Sequence, residues 1–308
     1  MDGIKVYIGC CKTDFYLLRS CIASIRYWNK EVPVFLLKDY SRGDFDTAEL
    51  QSAFTVSHVE TKYKKLGGYM KLQPYIEAVE EKVFLQDADM VWLGNIIELL
   101  EDKDEDITVH AYAPLNREAE LNQWYFKTDN LKQHYPNYKY PGFVFNCGSI
   151  FLNKKKFAES YFKDIITWQE NARPVYDNVF LCEDQGIVNF IVAKKYLSNA
   201  ISIAKTNLQI PAESEEAKKY KLESIKNFDK QNVIVHWLGK KNGLTGFCPA
   251  KHLLRFYEKQ YYNNCKNGTV RMWLERLRRT IVHFDQFLYE TVKKIYYFFI
   301  PGKNDAAS

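Results

Sequence analysis

Apolar and polar positions switch between strand-like and helix-like spacing in the first part of the chain. Residues 5–11 and 33–37 are apolar runs of strand length. Between them, apolar residues recur at the spacing of a helix, and Thr13 and Asp14 are suitable residues to begin it. A strand, a helix and a strand in this order predict a parallel βαβ unit with a right-handed crossover. We therefore expect an α/β fold with a mixed, mainly parallel sheet flanked by helices.

The remaining elements of the main domain are predicted from shorter patterns. Residues 94–140 are polar and irregular, and we expect short helices there together with a loop that could cover a site. Residues 211–223 are rich in Lys and Glu and are expected to form a solvated face. Helices are predicted at residues 69–79, 157–168 and 188–192, and strands at residues 83–87, 143–152 and 233–235.

The C-terminal part of the chain has a different pattern, and we separate it from a main domain at residues 1–250 as a helical extension at residues 251–308. Large apolar residues recur there every three or four positions, which predicts one long helix or two consecutive helices. Two interpretations of this stripe stay open. The helix packs on the main domain or a partner subunit, or it lies on an anionic membrane surface through residues 270–300. The stripe contains Trp273, Leu277, Ile281, Phe284, Leu288, Val292, Ile295 and Phe299.

The composition is that of a globular protein and excludes several classes. Of the 308 residues, 46% are hydrophobic and 26% are charged, which argues against disorder. A net charge of +5 is too small for the basic surface of a nucleic-acid-binding protein, so no nucleic-acid partner is expected.

Several features of the sequence bear on its compartment. The seven cysteines are scattered, without metal-ligand spacing, and are expected to be reduced. The first residues already have fold-like sequence, and no uncharged apolar run is long enough to span a bilayer. We expect a cytoplasmic protein, peripheral on the inner face of the membrane if the last helix binds there.

Two carboxylates follow the strand predicted at residues 83–87. Asp87 and Asp89 are separated by the small residue Ala88, and in an extended backbone residues two apart point to the same side. Two charges this close are stable when a cation lies between them or when one keeps its proton. Oxygen ligands suit Mg²⁺ or Mn²⁺, and ligands bind beyond the carboxyl ends of parallel strands. The alternative is a solvated turn after a strand.

Three further motifs contain residues that could complete such a site. Lys71 precedes the strand that ends in the acidic pair, although it could equally be a surface lysine. Asn146 and Gly148 lie in a strand-like run, where a glycine indicates a bulge or the close approach of another group. Glu183 and Asp184 come just before a helix, where acids also act as caps or first-turn residues.

A last motif follows the strand predicted at residues 233–235. His236 closes this apolar run, and Gly239 opens a turn that contains Lys240 and Lys241. His236 is a candidate metal ligand, and the alternative is a hydrogen-bonded core or turn residue.

Taken in chain order, these motifs resemble those of a known family. The chain is similar to nucleotide-sugar glycosyltransferases of the GT-A type. It most resembles glycosyltransferase family 8, which includes glycogenin and bacterial lipopolysaccharide galactosyl- and glucosyltransferases. The resemblance covers about residues 4–245. It rests on Lys71-Leu72, Leu85-Gln-Asp-Ala-Asp89, Phe145-Asn-Cys-Gly148, Asp184-Gln185, and His236 three residues before Gly239.

The resemblance implies a fold, a reaction and a set of site residues. The fold would be the Rossmann-like GT-A fold, and the reaction would move a hexose from a UDP-sugar to a glycan or glycolipid acceptor with retention. Mn²⁺ or Mg²⁺ would be held by Asp87, Asp89 and His236. The donor would be bound by Tyr7, Cys10, Thr13, Lys71, Asp87, Ala88, Asn146, Gly148, Gly239, Lys240 and Lys241. Gln185 and Asp184 would stabilise the positive charge that develops on the sugar.

Two positions depart from the family pattern. The family commonly has Lys-Pro-Trp after the glycine that Gly239 matches, so the lysine that meets the diphosphate stays open. Gly186 follows Gln185 where the family often has a further acid.

A sugar-nucleotide nucleotidyltransferase would usually have a Gly-rich basic loop near the first strand, which residues 8–13 do not match. A non-catalytic GT-A scaffold or lectin-like module would be favoured by loss of a metal ligand.

Overall fold

The chain folds into alternating strands and helices, seen in a computed structural model that describes residues 3–60, 67–76, 81–111, 118–154, 156–168, 172–229, 231–238 and 248–299. The strands are β1 (Lys5–Cys11), β2 (Val34–Asp39), β3 (Val56–Val59), β4 (Lys82–Asp87), β5 (Met90–Trp92), β6 (Ile107–Ala111), β7 (Phe145–Asn153), β8 (Ile166–Trp168), β9 (Ala172–Pro174), β10 (Ile203–Thr206), β11 (Gln209–Pro211) and β12 (Ile234–His236). The α-helices are α1 (Phe15–Trp28), α2 (Ala48–Phe54), α3 (Gln73–Ile76), α4 (Ile96–Glu101), α5 (Glu118–Trp124), α6 (Thr128–His134), α7 (Asp184–Leu197), α8 (Glu215–Lys219), α9 (Leu222–Lys226), α10 (Lys251–Asn263) and α11 (Gly268–Phe299).

Seven strands form the central sheet, in the order β10–β6–β7–β4–β1–β2–β3. The pairs β1–β2, β1–β4, β2–β3 and β6–β10 are parallel, whereas β7 is antiparallel to both β4 and β6. This arrangement confirms the predicted α/β fold with a mainly parallel sheet. Because β7 runs in the opposite direction, its first residues lie beside the carboxyl ends of β4 and β6.

Two apolar layers cover the sheet, and β1 shows how the sequence divides between them. Val6, Ile8 and Cys10 belong to the core on the side of α1 and α10, whereas Tyr7 belongs to the core on the side of α7. Alternate residues of a strand point to opposite faces, so a strand buried on both faces is apolar throughout. The continuous run at residues 5–11 therefore indicates a central strand, and β1 is one.

The chain leaves the central sheet directly after Asp87. Ala88 and Asp89 form a turn, and β5 then pairs antiparallel with β12 in a separate three-stranded sheet. One hydrogen bond joins the residues before and after the turn: the indole Nε1 of Trp92 donates to Oε1 of the buried Gln86 at 2.8 Å. The sequence suggested that an extended backbone would bring Asp89 and Asp87 to the same side. In the structure, this turn brings Asp89 towards Asp87 instead.

Two predicted helices differ from the structure. Residues 157–168 contain a short 3₁₀ helix, Glu159–Phe162, followed by β8, which pairs with β9 as a hairpin. The sequence Ile165-Ile-Thr167 is β-branched and favours a strand over a helix. Residues 67–72 form a 3₁₀ helix and α3 follows, while residues 77–79 lie outside the described residues. Pro74 has no N–H, so a regular helix cannot run through it from residue 69.

Both C-terminal helices contact the main domain, and α11 does so through its basic side rather than through its apolar stripe. α10 packs its buried apolar residues, including Leu254 and Tyr257, against α1 as part of the core. α11 contacts the domain through its basic side, where Arg276 and Arg279 bind the buried Glu258 and Arg271 binds Glu49. The division of the chain at residue 250 stays a prediction.

The opposite side of α11 presents the apolar stripe to solvent. Within the part of α11 whose side chains are described, Met272 is buried in the core, whereas seven other large apolar residues are about half exposed or more. They are Val270, Trp273, Leu274, Leu277, Ile281, Val282 and Phe284. The stripe therefore does not pack on the main domain over these residues. No helix among the described residues is long and apolar enough to cross a bilayer.

Replacing Glu258 by Ala is expected to release α11 from the domain. Glu258 is 2% exposed, and its removal leaves Arg276 and Arg279 without their buried partner, which costs roughly 3 kcal/mol or more. Limited trypsin digestion should then cleave α11 much faster than in the wild type. The control is Arg278→Ala, whose side chain is 77% exposed and should contribute about 1 kcal/mol or less. Equal cleavage rates for Glu258→Ala and the wild type would contradict this role of Glu258.

Candidate active site

Strand pairing brings three candidate metal ligands together from distant parts of the chain. β12 pairs with β5 so that His236 lies opposite Met90, and the N–H of Trp237 donates to the carbonyl of Asp89 at 3.1 Å. Nε2 of His236 is 3.4 Å from Oδ1 of Asp89 and 3.9 Å from Oδ2 of Asp87. One ligand atom from each of the three side chains lies within 4.8 Å of the others.

The His236 ring is oriented by its other nitrogen. Nδ1 lies 3.1 Å from Oε1 of Gln209, and Nε2 of Gln209 donates to Oγ of Ser149 at 2.7 Å. In this arrangement Nδ1 carries the proton, and Nε2 presents its lone pair to the two carboxylates. Ligating histidines usually have their second nitrogen fixed by a partner of this kind.

These residues fit a divalent metal ion. Two carboxylates and one neutral imidazole form an oxygen-rich donor set with a single nitrogen, which suits Mn²⁺ or Mg²⁺ better than a thiol-binding metal. Three protein ligands leave coordination positions for phosphate oxygens. Asp87 is 31% exposed at its side chain, whereas Asp89 and His236 are at most 5% exposed, so the open side of the group faces the cavity through Asp87.

Gly148 makes room for the His236 ring. A Cβ atom added at residue 148 would lie 2.5 Å from Cε1 of His236 and 2.6 Å from Cε of Met90. Real Cβ atoms do not approach other atoms this closely, so any larger residue would displace the imidazole or the strand. The sequence indicated that another group could approach Gly148 closely, and in the structure that group is the His236 ring.

A buried lysine joins the metal-ligand group to the start of α7. Nζ of Lys71 is 2.7 Å from Oδ1 of Asp87 and 3.0 Å from Oδ2 of Asp184, and it donates to the carbonyl of Cys147 at 3.0 Å. Burial lowers the pKa of Lys71, but Asp184 and Asp87 outweigh it and raise this pKa above its usual value. Lys71 is thus a buried cation and not a surface lysine.

The carboxyl group of Asp184 also has a shifted pKa. Burial raises the pKa of Asp184 to about 6, opposed by the charge of Lys71 and reinforced by Asp87. Asp184 begins α7, and the residues before it have left-handed backbone, with φ +50° at Cys182 and +52° at Glu183. Such φ values in non-glycine residues are strained and often occur at functional sites.

Gln185 belongs to a network of amide side chains. Nδ2 of Asn146 donates to Oε1 of Gln185 at 3.2 Å, and Nε2 of Gln185 donates to the carbonyl of Trp124 at 3.1 Å. Oδ1 of Asn146 in turn accepts from the N–H of Gly148 at 2.7 Å. These bonds orient the Gln185 amide and connect it to the strand that carries Gly148.

A polar cavity of about 260 Å³ lies against the acidic pair, Lys71 and Asp184. It is lined by Asp87, Ala88 and Asp89 on one side and by Lys71, Asp184 and Glu183 on another. The ends of β1 and β2 and the residues after them provide Gly9, Cys11, Asp14, Asp39, Ser41 and Arg42, and the 3₁₀ helix at residues 67–72 provides Gly68 and Met70.

The other residues that the resemblance assigned to donor binding differ in their surroundings. Tyr7 packs in the core and stacks on Phe35 with ring centroids 5.0 Å apart, and Cys10 is buried on the opposite face of β1. Thr13 is exposed after the end of β1, with Oγ1 3.0 Å from Sγ of Cys11. Gly239, Lys240 and Lys241 lie outside the described residues.

Sequence reasoning missed several residues of the site. Gln209 gave no signal, because its strand has three residues and its partner His236 is distant in sequence. Asp39 could have been noticed, since it ends a parallel strand next to β1. Glu183, which was a candidate with a helix cap as the alternative, lines the cavity, and its carboxylate lies against Gly68, where an added Cβ would be 1.7 Å from Oε2.

The site and fold can be compared with known proteins. The model of the nucleotide-diphospho-sugar transferase family matches residues 76–262. The apo structure of the bifunctional glycosyltransferase WbbM has a TM-score of 0.54 and 13% identity, over 90% of this chain and 52% of that one. Apo GlyE from Streptococcus pneumoniae TIGR4 has a TM-score of 0.50 and 13% identity, over 88% of this chain and 62% of that one. No sequence among curated proteins matches.

Sheet topology and these superpositions place the chain in the GT-A class of folds. Within this class, the chain belongs to the nucleotide-diphospho-sugar transferase family, whose model matches more than half of its residues. The predicted resemblance to GT-A proteins like those of glycosyltransferase family 8 is thereby confirmed. The chain spans about half the length of WbbM, and the likeness to both structures, at 13% identity, concerns the fold alone.

Replacing Gly148 by Ala is expected to weaken divalent-metal binding at least tenfold. The added Cβ would push against Cε1 of His236 and move Nε2 away from the carboxylates. Titration with Mn²⁺, followed by electron paramagnetic resonance of the free ion, measures the change in Kd. The matched control is Gly3→Ala, where an added Cβ meets nothing within 4 Å. Unchanged Mn²⁺ affinity in Gly148→Ala would mean that the imidazole is not a ligand.

Proposed function

We propose that the chain is a metal-dependent retaining glycosyltransferase that moves a hexose from a UDP-sugar to a glycan or glycolipid acceptor. One observation carries the proposal: Asp87 and Asp89, which converge with His236, line a cavity whose other walls contain Lys71 and Asp184. Membership of the nucleotide-diphospho-sugar transferase family supports a nucleotide-sugar donor.

Different residues of the site would bind the donor and assist its cleavage. A divalent ion held by Asp87, Asp89 and His236 would act as a Lewis acid that neutralises charge on the diphosphate. Lys71 adds a positive charge beside the carboxylate of Asp87, and its ion pairs with Asp87 and Asp184 hold this charge in a fixed position. Asp184 is paired with Lys71, and Gln185 is the next residue; their side-chain oxygens can stabilise positive charge on the anomeric carbon.

Two competing functions are less well supported by the site. A nucleotidyltransferase needs a Gly-rich phosphate loop after its first strand, whereas β1 ends in Cys11 and is followed by a 3₁₀ helix at Lys12–Asp14. A non-catalytic module would not need a metal-ligand group and a buried lysine between two acids. The intact constellation therefore favours transfer chemistry.

A thermal-shift panel tests the donor and the metal together. With Mn²⁺ present and a UDP-hexose at about 100 times its Kd, the folded chain should gain roughly 2.7 kcal/mol, a rise in Tm of about 5 °C. Asp89→Asn should abolish both this rise and the release of UDP, because one charged ligand is lost. Asp104→Asn is the control, since that side chain is 96% exposed.

The products distinguish the candidate functions. Release of UDP supports a transferase, whereas consumption or release of pyrophosphate with UTP would indicate a nucleotidyltransferase. Normal UDP release by Asp89→Asn would contradict the metal assignment. Retention is read from the anomeric configuration of the product by proton NMR.

We also propose that α11 binds the protein to an anionic membrane surface. Its apolar face between Val270 and Phe284 is exposed over about 21 Å of helix, at 1.5 Å per residue. Arg278, with a side chain 77% exposed, borders the stripe with a positive charge. A helix whose apolar face is unpaired and whose other face is charged has the character of an interfacial helix.

Replacing Trp273 and Leu277 together by Glu should abolish vesicle binding. Burying two such side chains stabilises the bound state by about 3 kcal/mol or more, roughly a hundredfold in partition. Flotation with phosphatidylglycerol–phosphatidylethanolamine vesicles measures the bound fraction. Leu99→Glu is the control, because Leu99 is a single exposed apolar residue on α4. Failure of the wild type to float, together with a dimer in light scattering, would instead indicate that the stripe binds a second copy.

A further inference from the structure

The segment that joins β6 to β7 is attached directly to the proposed catalytic residue Gln185. Its described part, residues 118–140, lies on the side of the sheet where β4 and β6 end, because β7 begins there. Nε2 of Gln185 donates to the carbonyl of Trp124, and the N–H of Leu181 donates to the carbonyl of Tyr125 at 2.9 Å. The segment therefore has a fixed position relative to the site.

Trp124, whose carbonyl accepts the bond from Gln185, has a large and exposed side chain. Its side chain is 50% exposed, whereas those of the following Tyr125 and Phe126 are at most 3% exposed. Core packing therefore does not account for the indole at this position. An exposed indole combines a large apolar ring with an N–H group, and both can contact a ligand.

A cavity of about 390 Å³ lies in the same segment. Leu121, Phe126 and Tyr138 form its apolar wall. Its rim is charged, since Nζ of Lys132 pairs with Glu118 at 3.1 Å and both side chains are more than half exposed. This volume lies within the range of small-molecule binding sites.

The aromatic residue and the cavity follow one another along α5. Leu121 precedes Trp124 by three residues, so both lie on one side of the helix, about 4.5 Å apart along its axis. Gln185 is bonded to the carbonyl of Trp124, and Leu121, about one turn away on the same helix, lines the cavity. A ligand made of several linked units could therefore contact all three.

We propose that this segment is the acceptor subsite for an oligosaccharide of at least two units. The unit that receives the hexose would pack its C–H face on Trp124, because that face of a pyranose is apolar. The next unit would occupy the cavity, with hydroxyl groups hydrogen-bonded to Glu118 and Lys132 on the rim. The proposal rests on the proposed glycosyltransferase function and specifies its acceptor as an oligosaccharide chain.

Binding to immobilised glycans tests the subsite separately from catalysis. The full chain with UDP and Mn²⁺ is applied to an array of mono-, di- and trisaccharides. We expect binding to at least one di- or trisaccharide, weakened tenfold or more in Trp124→Ala. Lys132→Ala should weaken binding of these oligosaccharides by a few-fold. Phe228→Ala is the matched control, since it removes another exposed aromatic ring, 58% exposed, elsewhere on the surface.

Transfer kinetics with the glycan that binds separate acceptor binding from an effect through Gln185. Trp124→Ala should raise the KM for this acceptor tenfold or more. A fall in kcat with unchanged acceptor KM would show that Trp124 only positions Gln185, and it would overturn the proposal. Wild-type protein that hydrolyses donor but binds no glycan would overturn it too. Glycan binding without donor hydrolysis would count against the proposed function alone.

Discussion

The buried ammonium of Lys71 is the interaction on which the site depends. It neutralises Asp87 and Asp184, which come from the end of β4 and the start of α7, in a position with little water. Without this cation, two carboxylates would face each other across a desolvated gap, at a cost of several kcal/mol. Lys71 thus keeps α7, and with it Gln185, against the end of the sheet. It also offsets one negative charge of the ligand group before any ion arrives.

The metal-ligand group depends on a second constraint, which is the change of sheet after Asp87. The chain turns at Ala88 and Asp89 and continues into β5, whose partner is β12. This exchange of partners joins residues almost 150 positions apart in sequence, and the bond between Trp92 and Gln86 holds the turn closed. The geometry of the site is therefore determined by the small sheet as much as by the large one.

The sequence predicted what depends on local pattern. The β1–α1–β2 unit, the position of Asp87 at a strand end, and α7 each follow from periodicity within a short window. The role of Gln209, the orientation of His236 and the hairpin of β8 and β9 depend on pairing between segments that are short or far apart, and no local pattern specifies those partners. Lys71 illustrates the limit, since its sequence neighbours give no indication that it is buried.

The orientation of α11 has a consequence for how the protein would respond to ionic strength. Two of the arginines that hold α11 to the domain, Arg276 and Arg279, bind Glu258, which is buried, and mobile ions screen such pairs little. The outward face is mainly apolar, and salts do not weaken apolar burial. A membrane-bound fraction should therefore resist washing with concentrated salt and require detergent for its release.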